Sequence, residues 1–400
     1  MTMDRMPAKD RINRMYYLLQ IGYWGMLGSF TAFQSAVLLD RGFSTGDVGV
    51  FLALNCLAGM IAMPLVGNWA DRNPEVPIKR IFGLLLVPTL GINFVFFFTR
   101  PGWWGTALIF VLLGILETNS FPLIDSMAMQ YINAGVDVNY SFGRGLGAFA
   151  YALVCVIEGW QTACWGIQTA MLTHGALIVV MMVITALFPA FPVSALPPAE
   201  ERKSTHSALY LLRTNIPYTL MLFGCFFGMI AIMPVGNFLV TMVTERGGDS
   251  SHLGLAQFLM AASELPAAFV FQKLYRRYGT EKVMLISLVF MIAKPALVLA
   301  SGNLGMLLAV QPIQMLGYGL FTPANTYFAN ENVAPEDRQQ GQSLKMVITT
   351  GLGSMAGNLI SGWAIDAGGT SLMLTLCIVS GCIGLVLGVC AVRARRRLAQ

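Results

Sequence analysis

Long apolar runs alternate with short polar breaks along nearly the whole chain. A helix needs about 20 mostly apolar residues to cross the hydrocarbon layer of a bilayer. Twelve runs reach that length, at 14–39, 47–70, 80–99, 104–127, 142–161, 166–190, 214–243, 252–275, 282–301, 303–329, 342–364 and 371–392. The pattern predicts an all-α membrane protein of twelve transmembrane helices. The longest polar stretch, 191–213, divides the runs into two sets of six. It marks a linker between an N-terminal bundle, 1–190, and a C-terminal bundle, 214–400. No stretch is left for a soluble domain. The first run is too long for a signal core and has no small-residue cleavage site, so no cleavable leader is expected.

The basic residues test this map. With the N-terminus in the cytosol, the inner segments hold 21 Lys and Arg. The outer segments hold Arg41, Arg100 and Arg246, and Lys294 falls inside a span. This bias places both termini in the cytosol. The expected location is a plasma membrane, the bacterial inner membrane, crossed many times. A weak repeat supports two related halves. Gly67-Asn68-Trp69-Ala70-Asp71-Arg72 and Gln272-Lys273-Leu274-Tyr275-Arg276-Arg277 follow the second span of each half. Paired halves with a midplane site are a common plan for transporters.

Composition agrees with the map. Of 400 residues, 56% are hydrophobic and 11% are charged. Such a chain cannot cover itself with polar surface in water. A soluble enzyme and a nucleic-acid binder are therefore excluded as first readings, and the net charge of +5 does not point to an acidic partner. The seven cysteines show no CxxC pair or zinc spacing and read as packing residues. No GxxxxGK[ST] loop, nucleophile–base set or metal cluster is visible, so neither an enzyme nor a cofactor is expected. Lipid, protons and a small-molecule substrate are the expected partners, with the chain acting as a monomer.

Ionisable residues inside spans are costly and mark candidate function. Glu264 in span eight lies twelve residues before Arg276, and Lys294 in span nine lies twelve after Lys282. Both then sit roughly 18 Å from the inner edge, at one depth. They are a candidate ion pair, either locking two helices or coupling protons to substrate. Pro266 predicts a helix irregularity beside Glu264. Glu117 and Asp125 in span four are eight residues apart, about 80° around the helix, so both can face one cavity. Asp125 and Arg144 form a candidate pair for substrate or for a structural gate. Gln311, Gln314, Tyr318, Thr322 and Asn325 form a polar stripe on span ten, and span one adds Tyr23 and Gln34. Neutral hydrogen-bonding groups beside aromatics suit a hydroxylated or heterocyclic solute. Glycines 351, 353, 357 and 362, with Gly143 and Gly147, predict close helix approach. His174, His206 and His252 read as isolated.

The twelve spans, the basic mid-chain loop and Gly67-x-x-x-Asp71-Arg72 resemble the major facilitator superfamily over essentially the whole chain. Within it the sequence is similar to the lactose-permease-like group of oligosaccharide and nucleoside proton symporters. Tyr23-Trp24-Gly25-Met26-Leu27-Gly28, Pro122-Leu123-Ile124-Asp125, Phe142-Gly143-Arg144 and Lys294 match that group. The resemblance implies a substrate-binding acid at Asp125 and a cytoplasmic gate at Asp71 and Arg72. It also implies proton-coupled symport by alternating access between two bundles. Departures limit it. Leu146 stands where the permease has a second sugar-binding arginine, and Tyr151 lies two residues from its stacking tryptophan. The proton-coupling His/Glu pair of span ten is replaced by Gln311-Pro312-Ile313-Gln314.

The expected substrate-binding set is therefore Asp125, Arg144, Tyr151, Glu117, Gln311, Gln314, Asn325 and Gln34. The expected proton-coupling set is Glu264, Lys294 and Asp125. The alternative is a drug or metabolite efflux antiporter of the same superfamily. The Gly-Pro motif usual in span five of exporters is absent from Gly145-Leu146-Gly147-Ala148-Phe149-Ala150-Tyr151.

Overall fold

A computed structural model describes residues 9–73, 75–192 and 206–398. The described residues are helical throughout, with no strand. Their helices are α1 (Lys9–Phe30), α2 (Gln34–Asp40), α3 (Thr45–Arg72), α4 (Ile78–Phe98), α5 (Trp103–Asn133), α6 (Tyr140–Trp165) and α7 (Thr169–Leu187). Beyond the linker come α8 (Ala208–Thr214), α9 (Ile216–Asn237), α10 (Leu239–Glu245), α11 (Ser250–Glu264) and α12 (Ala267–Ala300). The last are α13 (Leu304–Val310), α14 (Tyr318–Asn332), α15 (Arg338–Lys345) and α16 (Ser354–Leu398). Among the described residues, nine segments are continuous and apolar enough to cross a membrane by themselves.

Twelve crossings emerge once the breaks are read. Span one is interrupted at Thr31–Phe33 and span seven at Phe238. Span eight runs through α11 and the start of α12, with a break at Leu265-Pro266. Leu265 keeps helical dihedrals, φ −58° and ψ −48°, but Pro266 has no N–H for the helix ladder, and the irregularity expected beside Glu264 is present there. The turn from span eight to span nine needs one residue in non-helical conformation, Gly279, at φ 75° and ψ 167°. A side chain there would be strained, and glycine removes that cost. Span ten narrows to a 3-10 turn at Gln311–Met315, and span eleven opens with a π-helical stretch, Met346–Gly353. Gly368 and Gly369 separate spans eleven and twelve within α16.

Two compact units result, 1–41 with 57–201 and 42–56 with 202–400. The first part of α3, up to residue 56, thus clusters with the second unit. Each unit has its own apolar core. The first centres on Tyr16, Phe82, Ile124 and Met181, the second on Tyr218, Met229, Leu288 and Phe321. Trp104 is 82% exposed and Phe269 76%, an outward apolar display suited to lipid. All seven cysteines are free; Cys155, Cys225 and Cys377 are buried, and Cys164, Cys382 and Cys390 are exposed.

Candidate functional site

In the first unit the site grows from α1. Gln20 lies one turn from both Tyr16 and Trp24, so the three share a face. The Gln20 amide donates to Tyr16 Oη at 2.9 Å and to Asp125 Oδ1 on α5 at 3.4 Å. Its carbonyl accepts from Trp24 Nε1 at 3.0 Å. Tyr140, at the start of α6, donates to Asp125 Oδ2 at 2.9 Å and stacks on Tyr16. Asp125 is therefore held by neutral donors.

The expected Asp125–Arg144 pair is not formed. Arg144 instead lies over aromatic faces, 4.5 Å from the Phe121 ring centre and 5.2 Å from that of Trp24. Its Nη1 is buried without a hydrogen-bond partner among the described residues. Planar guanidinium stacks well on rings, at about 0.5–2 kcal/mol per contact. Tyr151 meets Trp24 edge-on at 6.3 Å. Close approach of α6 permits this. A Cβ on Gly147 would sit 2.4 Å from Trp24 Cδ1, and one on Gly143 would sit 2.4 Å from Tyr16 Cε1.

Glu117 does not share the Asp125 network. Its Oε1 lies 3.1 Å from His174 Nε2 on α7, and His174 Nδ1 lies 3.1 Å from the Met26 carbonyl. His174 was expected to be isolated; burial against α1 and α5 gives it two partners. His206 and His252 are also partnered, by Asp337 Oδ2 and Asp249 Oδ1, each at 2.7 Å. Sequence spacing could not find these contacts, since His174–Glu117 and His206–Asp337 span 57 and 131 residues.

In the second unit Lys294 is 1% exposed. No direct ion pair with Glu264 is present among the described residues, contrary to expectation. The Lys294 ammonium donates to Gln314 Oε1 at 2.7 Å and lies 3.2 Å from Met260 Sδ. A hydrogen bond to a charged group contributes about 1.5–3 kcal/mol. Gln314 and Glu264 are neighbours, since a Cβ on Gly319 would lie 3.6 Å from both the Gln314 backbone carbonyl oxygen and Glu264 Cγ. The same Cβ would lie 2.9 Å from Ala267 Cβ, so glycine there lets α14 approach the start of α12 closely.

The other expected residues divide. Gln311 is fully buried, donates to the Leu307 carbonyl at 2.9 Å, and keeps Oε1 free of partners. Asn325 belongs to a separate cluster, donating to Thr349 Oγ1 at 3.3 Å. Lys345 Nζ reaches Thr326 Oγ1 beside it, at 2.9 Å. Gln34 opens α2, half-buried. Arg72 is exposed, and the side chain of Asp71 lies outside the described residues. Linker residues 193–205 lie outside them too.

One constellation was not anticipated. Asp366 accepts from Thr45 Oγ1 at 2.5 Å and from the Gly46 amide at 2.8 Å, at the start of α3. A carboxylate there satisfies free amides and meets the positive end of the helix dipole. Gln20 was also missed. Its signal was a lone amide within an apolar run, one turn from two aromatics. Among the described residues no group of three or more His, Cys, Asp and Glu could hold a metal ion.

Comparison with known proteins adds the following. The model of the MFS_1 like family matches residues 12–375. The maltose permease of Geobacillus stearothermophilus is 22% identical over 384 residues, covering 95% of this chain and 94% of the permease. The solved nucleoside transporter NupG superposes with a TM-score of 0.82 at 17% identity, covering 96% of this chain and 98% of NupG. A bacterial homologue of the human lysosomal transporter Spinster, inward-facing and unoccupied, gives 0.68 at 13% identity, covering 97% and 95%.

Proposed function

Because this chain belongs to the MFS_1 like family of major facilitator transporters, we propose that it is a proton-coupled symporter for a small polar solute, a sugar or a nucleoside. The observation that carries the reading is the aromatic and charged cluster of the first unit. Trp24 and Phe121 hold Arg144 with a guanidinium nitrogen free, near the hydrogen-bonded Asp125. Aromatic rings stack on the apolar face of a sugar or on a base. The free guanidinium and the carboxylate serve its hydroxyls or ring heteroatoms. The likeness to a maltose permease and to a nucleoside transporter supports these two substrate classes.

Energy comes from a proton gradient in this reading, with Glu264, Gln314 and Lys294 as the responsive group of the second unit. Proton binding by Glu264 removes one charge from the group, which changes what Gln314 and Lys294 can offer a substrate. The two units then alternate access to the site. The basic residues support cytosolic termini in a bacterial inner membrane, and the chain works as a monomer.

Reconstituted protein tests this. Labelled maltose and uridine are offered with and without an imposed inward proton gradient. The expected result is gradient-driven accumulation of one of them. Glu264→Gln is expected to abolish accumulation and to spare counterflow. Accumulation unchanged in that variant removes Glu264 from the coupling. Resistance to drugs conferred on an expressing strain, with no uptake, would favour the efflux alternative.

A further inference from the structure

We propose that Glu117 and His174 form a proton-binding site in the first unit, holding one shared proton at a place separate from the Glu264 group. The Met26 carbonyl can only accept a hydrogen bond, so His174 Nδ1, 3.1 Å away, carries hydrogen. The tautomer is thereby set. Nε2 then faces Glu117 Oε1 at 3.1 Å, and a hydrogen bond at that distance needs one proton between them. Glu117 as the acid donating to neutral imidazole satisfies it, and so does imidazolium donating to carboxylate. Both forms have the same net charge, zero. Without the proton, two acceptors would face each other and a net negative charge would remain in a site where His174 is 1% exposed and Glu117 9%. Burial of an uncompensated charge is strongly opposed. The pair therefore keeps its proton while enclosed and releases it only when water reaches it.

The surroundings keep the site closed. Phe30 on α1 packs its ring 5.1 Å from the imidazole and touches Phe110 on α5. From α1, Tyr23 donates to the Glu117 backbone carbonyl at 3.4 Å. From α4, the Asn93 amide donates to the Met171 carbonyl, one turn before His174. Two charged groups flank the pair. Arg41 lies over Phe96, the ring next to Phe30. Glu158 on α6 is fully buried with neither carboxyl oxygen hydrogen-bonded among the described residues. The pair thus joins α1, α5 and α7, and movement of α1 against the other two is the step that would wet it. A role for this proton in transport rests on the symport reading above; its occupancy does not.

The chain has three histidines. The double variant His206→Gln with His252→Gln leaves His174 as the sole one and touches nothing in the spans of the first unit. Purified without a polyhistidine tag, labelled with ring 15N histidine and placed in nanodiscs, it is read by NMR at neutral pH. The expected result is a protonated Nδ1 with Nε2 hydrogen-bonded to the Glu117 carboxyl. A bare Nδ1, or an Nε2 without a hydrogen bond, overturns the proposal. Glu117→Gln is the second variant. Its amide can donate to Nε2 as the loaded acid does, so Nε2 should read as a bare acceptor while proton-driven accumulation of labelled maltose or uridine falls at least tenfold. Accumulation at the wild-type level in Glu117→Gln overturns the transport role. A hydrogen-bonded His174 pair with no gradient-driven uptake of either solute leaves the proton site standing and rejects symport of maltose and uridine.

Discussion

The Lys294 ammonium donates to Gln314 Oε1 at 2.7 Å, so a neutral amide carbonyl and not the Glu264 carboxylate accepts from this buried charge. An ammonium can only donate and an amide carbonyl can only accept, which fixes the direction of the bond. Lys294 would otherwise be a buried charge with no strong partner.

Gln314→Leu should therefore destabilise the protein by about 3–5 kcal/mol, since one partner of a buried charged group is removed. The double variant with Lys294→Met should recover part of that loss. A thermal melt of purified wild type, both single variants and the double variant measures the coupling. Additive losses would show that the two residues do not interact.

Arg144→Lys is expected to weaken substrate affinity at least tenfold despite keeping the charge. An ammonium cannot stack as a plane between Phe121 and Trp24, and it lacks the guanidinium fork. Counterflow with the transported solute, read as a rise in KM, checks this. An unchanged KM would place Arg144 outside the binding site.

Gly147→Ala should force Trp24 to move, because the new Cβ would lie 2.4 Å from Trp24 Cδ1 and 3.2 Å from the Gln20 carbonyl. Overpacking of this kind costs about 1–3 kcal/mol. Trp24→Leu in the same chain should restore the melting temperature and leave transport impaired. That outcome would separate packing from substrate contact.

Asp249 lies ahead of α11, outside the membrane-spanning segments, and caps that helix. Hydrogen bonds from Ser251 and then His252 hold its carboxyl below the usual carboxylate range, at about 2. The folded value is depressed, so the stabilising effect is present above about pH 4 and fades as pH falls toward 2. Asp249→Ala should cost about 1 kcal/mol near neutral pH. Melts of both proteins should converge as the pH is lowered toward 2. A difference that grows with acidity would contradict the capping role.

Asp366 holds the start of α3 through Thr45 and Gly46. Asp366→Ala should speed amide hydrogen exchange at Gly46 and its neighbours, with little change in the core of α9. Exchange unchanged at residues 45–49 would mean that the contact does not fix this end of the helix.

The number of crossings and the lipid-facing character were legible in the sequence, because bilayer thickness sets the length of an apolar helix whatever surrounds it. The irregularity at Glu264 was legible too, because Pro266 lacks an N–H for the helix ladder in any surroundings. Residue types were also informative, since a charge at midplane depth must find a partner. Which partner it finds depends on helix rotation and on contacts far apart in the chain. Hence Arg144 stacks on Trp24 and Phe121 instead of pairing with Asp125, and Lys294 donates to Gln314 instead of pairing with Glu264. His174, unremarkable as a lone histidine in an apolar run, meets Glu117 only because α1, α5 and α7 pack together. Local backbone rules and hydrophobic length act along the chain. Hydrogen bonding between buried groups acts across it, and only the packed helices decide that.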